Sequence, residues 1–158
     1  MRIIDLFSGV GGLTFGFYYR KYKDHFVRNR KNQFVFANEY NPLAAKAYSE
    51  NYPDIPMKNC DIKSLKESDI KEWIGAEPVD LIIGGPPCQS FSTVGQRNYD
   101  EKAQLYTEYL RVLKIARPKM FLFENVRGIL SMREIFYKRD VAGNILYELK
   151  DVEGRESL

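Results

Sequence analysis

The segment Pro86-Pro87-Cys88-Gln89 places a thiol at an abrupt turn of the chain. It follows the apolar run Leu81-Ile82-Ile83 and a pair of glycines. Such a run is typical of a buried strand in a parallel sheet, and glycine and proline then force a turn. Cys88 is therefore predicted just beyond the carboxyl end of a strand, where open α/β sheets place ligands and catalytic groups. A lone free cysteine is more often a small buried apolar residue. The turn, and a carboxylate further along the chain, favour a nucleophile instead.

That carboxylate is Glu124, which ends the apolar run at 120–123. An acid after four apolar residues is costly to bury without a partner. Burial would favour its neutral form, which would make it a proton donor near neutral pH. Cys88 and Glu124 lie 36 positions apart, about the length of one helical crossover. We therefore expect both to emerge at the same edge, on neighbouring strands. The alternative for Glu124 is a structural acid that caps the next helix.

A glycine loop, Gly9-Val10-Gly11-Gly12, lies between the first predicted strand and the first predicted helix. Glycine lets backbone N–H groups approach a ligand closely. The dinucleotide-binding fingerprint fails here, because Thr14 occupies the third glycine position. A tight turn without a ligand is the alternative.

Three further side chains follow the second and third predicted strands. Glu39 can accept hydrogen bonds from both hydroxyls of a ribose. Tyr40 offers a ring face for a purine, and Asp61 can accept from an exocyclic amine. Each alone is more often a capping or surface residue. Together, at one edge of a sheet, they could hold an adenosine.

Strand and helix signals alternate, which predicts a mainly parallel sheet with right-handed crossovers. Strands are predicted at 3–7, 33–37, 57–60, 79–83 and 120–123, and helices at 13–19, 42–50, 64–73 and 105–116. Asn41 is predicted to cap the helix that begins at Pro42. Ser64 and Glu67 are predicted to form a capping box for the helix at 64–73, and Gly75 is predicted to end that helix.

The remaining segments carry weaker signals. Residues 21–32 are predicted to be an exposed polar connection, and 90–100 a polar loop. After Val126 we expect a helix at 129–136 and a turn at 142–144 that joins two short strands.

Composition bounds the class of protein. The 158 residues correspond to one domain, and the net charge of +3 is too small to prove nucleic-acid binding. Basic residues nevertheless cluster, and such clusters are more often solvated faces than phosphate sites. The early cluster comprises Arg20, Lys21, Lys23, Arg28, Arg30 and Lys31, and the late cluster Arg127, Arg133, Lys138 and Arg139.

Other classes are disfavoured. One histidine and two distant cysteines do not make a structural zinc site, so no metal is predicted. No stretch is long and apolar enough to span a membrane, and the first residues do not read as a signal peptide. Two cysteines, Cys60 and Cys88, without a secretory signal indicate a reducing, cytoplasmic setting.

Three segments in this order resemble the ordered motifs of DNA (cytosine-5) methyltransferases. They are Asp-Leu-Phe-Ser-Gly-Val-Gly-Gly at 5–12, Pro-Pro-Cys-Gln-Ser-Phe-Ser at 86–92 and Glu-Asn-Val at 124–126. The resemblance covers nearly all of residues 1–130. It implies a Rossmann-like S-adenosylmethionine-dependent methyltransferase fold, with helices on both faces of a mainly parallel α/β sheet that is incomplete at its C-terminal side. It also implies methyl transfer to C5 of a cytosine flipped out of double-stranded DNA, in a restriction–modification system.

The resemblance assigns roles to individual residues. Cys88 corresponds to the nucleophile that adds to C6 of cytosine, and Glu124 to the acid at N3. The expected S-adenosylmethionine contacts are Phe7, Gly9, Gly11, Gly12, Glu39, Tyr40, Asp61, Ile62 and Leu105. The expected nucleic-acid contacts are Gln89, Ser92, Gln96, Arg97 and Val126, of which Gln96 and Arg97 belong to the polar loop.

The chain also departs from the family pattern. A downstream Gln-x-Arg-x-Arg segment, the late motif that completes the cofactor pocket and the domain that reads DNA sequence have no counterpart after Val126. We therefore expect residues 1–158 to be the N-terminal part of a catalytic domain. It would be either a fragment or one subunit of a split enzyme that needs a complementing chain, and weakly active or inactive alone.

Three other functions remain open from the sequence. The same core motifs serve in enzymes that methylate tRNA cytosine. The chain could instead be a non-catalytic subunit that complements a partner. A nicotinamide-dependent oxidoreductase on a Rossmann core is a third possibility, against which the failed glycine fingerprint counts.

Overall fold

The structure is a computed structural model. It describes residues 1–87 and 105–125, together with the backbone of two further strands at 133–139 and 145–151. The chain divides into two compact units. The first comprises Met1–Pro86 and Leu105–Glu124, and the second Pro87–Gln104 and Asn125–Leu158.

Strands and helices alternate through most of the first unit. In chain order the elements are β1 (Arg2–Leu6), α1 (Gly12–Tyr18), β2 (Tyr19–Tyr22), β3 (His25–Arg28), β4 (Gln33–Glu39), α2 (Pro42–Asn51), β5 (Met57–Asn59), a 3-10 helix (Ile62–Ser64), α3 (Glu67–Ile74), β6 (Leu81–Gly84), α4 (Leu105–Ala116) and β7 (Met120–Phe123). The five predicted strands and four predicted helices are all present, with boundaries shifted by a few residues.

Five parallel strands form the central sheet, in the order β5-β4-β1-β6-β7. The chain builds outward from β1 through β4 to β5, then crosses back to β6 on the other side of β1. The strand order therefore reverses between β1 and β6. In open α/β sheets, ligands bind beyond the carboxyl ends of the strands at such a switch point.

Helices cover both faces of this sheet, as predicted. Alternate residues of β1 point to opposite faces, so Ile4 and Leu6 join one core and Ile3 the other. The first core includes Ile70 of α3 and Tyr109 and Val112 of α4. The second core is rich in aromatic rings and includes Tyr18 of α1 and Tyr48 of α2, together with Tyr52 just beyond it.

The helix caps confirm two predictions and correct one. The Asn41 side chain accepts hydrogen bonds from the N–H groups of Leu43 and Ala44, at 2.9 and 3.2 Å, and Gly75 ends α3 with φ of 67°. The predicted capping box was wrong. Lys66 precedes α3 without a side-chain cap, because Ser64 belongs to the 3-10 helix and donates to the carbonyl of Asp61 at 2.6 Å.

The exposed polar connection predicted at 21–32 is mostly exposed, but it also contains two strands that the sequence did not predict. The chain there forms an antiparallel hairpin of β2 and β3, in which Tyr19 pairs with Arg28 and Tyr22 with His25. The segment combines polar residues with tyrosine, phenylalanine and valine, which favour strands. The many charged residues of the segment obscured this preference for strands.

The second unit contains a two-stranded antiparallel sheet of β8 (Arg133–Arg139) and β9 (Ile145–Asp151). The predicted helix at 129–136 was wrong over its second half, where β8 begins. Residues 135–137 read Ile-Phe-Tyr, a β-branched and aromatic run that favours a strand. The predicted pair of short strands is confirmed, whereas the turn at 142–144 lies outside the described residues.

Candidate active site at the carboxyl edge of the sheet

The glycine loop leaves β1 through backbone conformations that few residues adopt. Gly9 and Gly11 have φ of 55° and 95°. A methyl group on Gly11 would overlap the ring of Tyr52, whose hydroxyl donates to the Gly11 carbonyl at 2.8 Å. By contrast, no atom lies within 4 Å of the position that a methyl group would occupy on Gly9 or Gly12. One side of the loop is therefore closely packed and the other has room for a ligand.

Phe7 shares the left-handed conformation, with φ of 55°. For a residue other than glycine this costs about 1–2 kcal/mol, and such outliers cluster at binding sites. Its half-buried ring packs against the first core, as does Leu105 at the start of α4. The structure thus places these two predicted cofactor contacts against the same core, on one side of the sheet.

Glu39 joins the end of β4 to the glycine loop. One carboxylate oxygen accepts from the N–H of Gly9 at 2.8 Å, and the other from the N–H of Asn41 at 2.7 Å. Each carboxylate oxygen retains lone pairs that can accept from a ribose hydroxyl. Tyr40 beside it is 73% exposed, so a face of its ring is available for stacking. The amide of Asn59 fixes this corner by donating to the carbonyls of Glu39 and Tyr40.

Asp61 and Ile62 follow β5. Asp61 is exposed and caps the 3-10 helix by accepting from the N–H of Lys63 at 2.9 Å. The Ile62 side chain is buried in the first core. Arg111 of α4 donates to the carbonyls of Ile62 and Leu65, at 2.9 and 3.0 Å, which ties α4 to this corner. Any ligand contact at Ile62 would have to involve its backbone.

Glu124 follows β7, and β7 pairs with β6 as predicted, with Gly84 opposite Phe123. Its N–H donates to the carbonyl of Gly84 at 2.9 Å, and a methyl group on Gly85 would lie 2.8 Å from its Oε2. The carboxylate therefore packs against the backbone that leads toward Cys88. The expectation of a buried acid was wrong, because β7 is an edge strand of the sheet and leaves Glu124 exposed.

The remaining predicted site residues lie outside the described residues. They are Cys88, Gln89, Ser92, Gln96, Arg97 and Val126.

Asp5 is a further residue of this edge that was not among the predicted site residues. This residue of β1 is fully buried, accepts a hydrogen bond from the Thr14 hydroxyl, and through it joins the Tyr48 hydroxyl, 2.8 Å from Thr14 Oγ1. Burial raises the pKa of Asp5 to about 7, the Thr14 hydrogen bond lowers it and the Glu39 charge raises it further. An acid inside the first apolar run was the available signal.

Two buried polar atoms at this edge, Asp5 Oδ1 and Ser8 Oγ, have no hydrogen-bond partner among the described residues. Buried polar atoms are normally satisfied by protein, water or ligand. The loop thus offers open space and unsatisfied polar atoms together, which fits a polar cofactor.

Comparison with known proteins agrees with this geometry. Residues 1–152 match the family described as C-5 cytosine-specific DNA methylase. The chain belongs to this family. Its relatives include the type II methyltransferases M.AgeI of Thalassovita gelatinovora, 42% identical over 84% of this chain, and M.AquIA of Picosynechococcus, 37% identical over 82%. The matched regions are 29% and 50% of those proteins, so the chain spans half of their length or less.

Solved structures show the same fold. A protein assigned as a DNA modification methyltransferase and encoded within an Escherichia coli prophage superposes with a TM-score of 0.65 at 34% identity, over 83% of this chain and 33% of that one. The Dnmt2 methyltransferase of S. pombe superposes with a TM-score of 0.58 at 24% identity, over 84% and 36%. The Rossmann-like methyltransferase fold predicted from the sequence is thereby confirmed.

None of the helices described is long and apolar enough to cross a membrane. Within the same residues, no group of three or more histidine, cysteine, aspartate or glutamate side chains could hold a metal ion.

Proposed function

We propose that this chain supplies the cofactor-binding and nucleophile-bearing part of an enzyme that methylates C5 of cytosine in double-stranded DNA, in a restriction–modification system. One observation carries the proposal. The carboxylate of Glu124 lies against Gly85, on the backbone that leads toward Cys88, at the same sheet edge as the glycine loop and Glu39. The family and the type II relatives support the same reaction.

The glycine loop and the ends of β4 and β5 would hold S-adenosylmethionine. Glu39 would accept from the ribose hydroxyls, the exposed ring of Tyr40 would stack on adenine, and Asp61 would accept from its amine. Phe7 and Leu105 would supply apolar contact from the first core, and the backbone of Ile62 would meet the adenine edge. The side of the loop that is open at Gly9 and Gly12, next to Gly11, would admit the rest of the cofactor. When bound, the cofactor supplies a methyl group made electrophilic by its sulfonium sulfur.

Cys88 and Glu124 would activate the cytosine. Addition of the Cys88 thiolate to C6 makes C5 a nucleophile, which is covalent catalysis. Glu124 would donate a proton or a hydrogen bond to N3 and stabilise the charge that develops there. After C5 has gained its methyl group, loss of the C5 proton and expulsion of the thiolate release the product. The target base has to leave the duplex for this chemistry, and Gln89, Ser92, Gln96, Arg97 and Val126 are the proposed contacts to DNA.

A trap for the covalent step tests the reaction. We expect the active enzyme to form a stable adduct with a pool of duplexes that carry 5-fluorocytosine, because fluorine at C5 cannot leave as a proton does. The Cys88→Ser variant should form no adduct, and Glu124→Gln should form it at least about 100-fold more slowly. A parallel pool of fluorocytosine-containing RNA separates DNA from tRNA substrates. Undiminished adduct with Cys88→Ser would refute the mechanism.

The cofactor site has a test with its own control. Glu39→Gln should weaken binding of S-adenosylhomocysteine by at least about tenfold, since a charge-assisted hydrogen bond contributes about 1.5–3 kcal/mol. Glu50→Gln removes the same charge from an exposed position near the end of α2. Calorimetric titration should show unchanged affinity for Glu50→Gln. Equal affinities for both variants would remove Glu39 from the proposed site.

We further propose that a complementing polypeptide supplies the late cofactor motif, the arginine segment and the DNA-reading domain. The edge strand β7 supports this, because Met120, Phe121 and Leu122 are 55%, 62% and 41% exposed. An apolar, unpaired strand edge is normally covered by another segment. Whether that segment belongs to a longer form of this chain or to a second subunit is decided by the reading frame that follows Leu158.

A further inference from the structure

Net positive charge is concentrated in the β2–β3 hairpin and the three residues that follow it. Residues 19–31 contain six cationic side chains and one carboxylate, a net charge of +5, whereas the whole chain carries +3. The cations are Arg20, Lys21, Lys23, Arg28, Arg30 and Lys31, and the carboxylate is Asp24. The rest of the chain is therefore net negative. Such a concentration of charge favours contact with a polyanion.

The base of the hairpin is held firmly by Arg28. Its guanidinium lies 3.8 Å from the centroid of the Tyr18 ring and 3.2 Å from Asp54, and Tyr18 also donates to Asp54. Arg28 further donates to the carbonyls of Asn29 and Asn32. Its charge is thus used within the fold. The other five cations form no ion pair with the carboxylates of the described residues, so they remain available to a partner.

On one face of the hairpin, two of these cations, Arg20 and Lys23, lie beside an aromatic ring. The register pairs Arg20 with Val27 and Tyr22 with His25, which places all four on one face. Tyr22 is 48% exposed, and the Arg20 guanidinium and the Lys23 ammonium lie 5.7 and 5.8 Å from its ring centroid. Cations beside an exposed ring bind phosphates and sugars through charge and stacking.

The chain that leaves the hairpin joins the sheet at the edge opposite the candidate active site. The amino group of Met1 donates to the Lys31 carbonyl at 2.7 Å, and the N–H of Gln33 to the Met1 carbonyl at 2.8 Å. The hairpin therefore connects at the amino ends of β1 and β4, whose carboxyl ends lead to Phe7 and Glu39. Strands of five residues separate the two edges by about 15 Å.

We propose that the β2–β3 hairpin binds the phosphate backbone of duplex DNA, independently of sequence, as an anchor separate from the contacts to the target base. The proposal concerns a different surface from the methyl-transfer site. It does not require Cys88, Glu124 or a bound cofactor.

The proposal is tested by measuring the salt dependence of binding to a fluorescein-labelled random-sequence 24-base-pair duplex, with the 158-residue chain and its variants. The hairpin variant combines Arg20→Ala, Lys21→Ala and Lys23→Ala. The control combines Lys46→Ala, Lys71→Ala and Lys114→Ala, which remove the same charge from exposed positions on α2, α3 and α4. Thermal unfolding and titration with S-adenosylhomocysteine are recorded for every protein.

We expect the hairpin variant to lose at least about tenfold in affinity at 100 mM salt. The slope of log K against log salt should fall by about 2–3, since each lost phosphate contact removes about 0.9. The control should keep the slope of the parent chain. Equal losses in both variants, or no binding of the duplex by the parent chain at 50 mM salt, would overturn the anchor. Cofactor binding reports separately on the methyl-transfer proposal, because no residue of that site is changed.

Discussion

Asp5 is a carboxyl group in surroundings that disfavour its charge. It is fully buried, and its pKa rises to about 7. Between about pH 4 and 7 the folded chain therefore binds a proton that the unfolded chain has released, so the free energy of unfolding falls as pH rises. The contribution of Asp5 is present below pH 4 and is lost above pH 7. A pKa shift of this size corresponds to a change of about 4 kcal/mol in the free energy of unfolding across this pH range.

The Asp5→Asn variant should remove this dependence. We expect it to be more stable than the parent chain at pH 8 and to show a smaller difference between pH 5 and pH 8 in urea unfolding. Asp24→Asn, in the exposed turn of the hairpin, is the control and should keep the parent slope. Identical pH profiles for Asp5→Asn and the parent would show that Asp5 does not titrate in this range.

At the scale of elements, the glycine loop has to pack closely against Tyr52 and also leave room for a ligand. Two single substitutions test these requirements separately. Gly11→Ala should destabilise the fold by at least about 2 kcal/mol, because φ is 95° and the methyl group would overlap Tyr52. Gly12→Ala meets no atom within 4 Å and begins α1, so stability should hold or rise while affinity for S-adenosylhomocysteine falls.

Gly16→Ala is the control for this pair, since it lies on the exposed side of α1 with open space around it. This variant should have a free energy of unfolding about 0.5–1 kcal/mol higher than the parent chain and the same affinity for S-adenosylhomocysteine. Chemical unfolding and calorimetry measure both quantities. Unchanged affinity in Gly12→Ala would place the cofactor elsewhere.

The elements also show which features the sequence could predict. Apolar runs and local caps such as Asn41 act over a few residues. The succession of strands and helices along the chain, the parallel sheet and two helix ends could therefore be predicted from the sequence. The hairpin depends on Arg28 packing on Tyr18 and pairing with Asp54, which is distant in sequence. The exposure of Glu124 depends on which strand lies at the sheet edge. Neither follows from local pattern, because both depend on tertiary neighbours.

At the scale of the whole molecule, β7 is an edge strand of the sheet among the described residues, and its side chains Met120, Phe121 and Leu122 are exposed. We expect the 158-residue chain alone to be weakly active or inactive in methyl transfer and to self-associate as its concentration rises, since exposed edges pair with other strands. Phe121→Lys should reduce the self-association seen in sedimentation, whereas Leu43→Lys, 78% exposed on α2, should not. Robust methylation by the monomeric chain would contradict the proposed need for a complementing polypeptide.

The two cores on opposite faces of the sheet carry different chromophores. Trp73, the single tryptophan, packs edge-on against Phe36 on the side of α3 and α4. The packed rings of Tyr18, Tyr48 and Tyr52 lie on the side of α1 and α2. Indole fluorescence therefore reports on the first core alone, whereas tyrosine near-ultraviolet dichroism reports on the second core together with Tyr109 of the first. Melting curves that coincide would indicate that both layers unfold in one cooperative step, and curves that separate would identify the layer that loosens first.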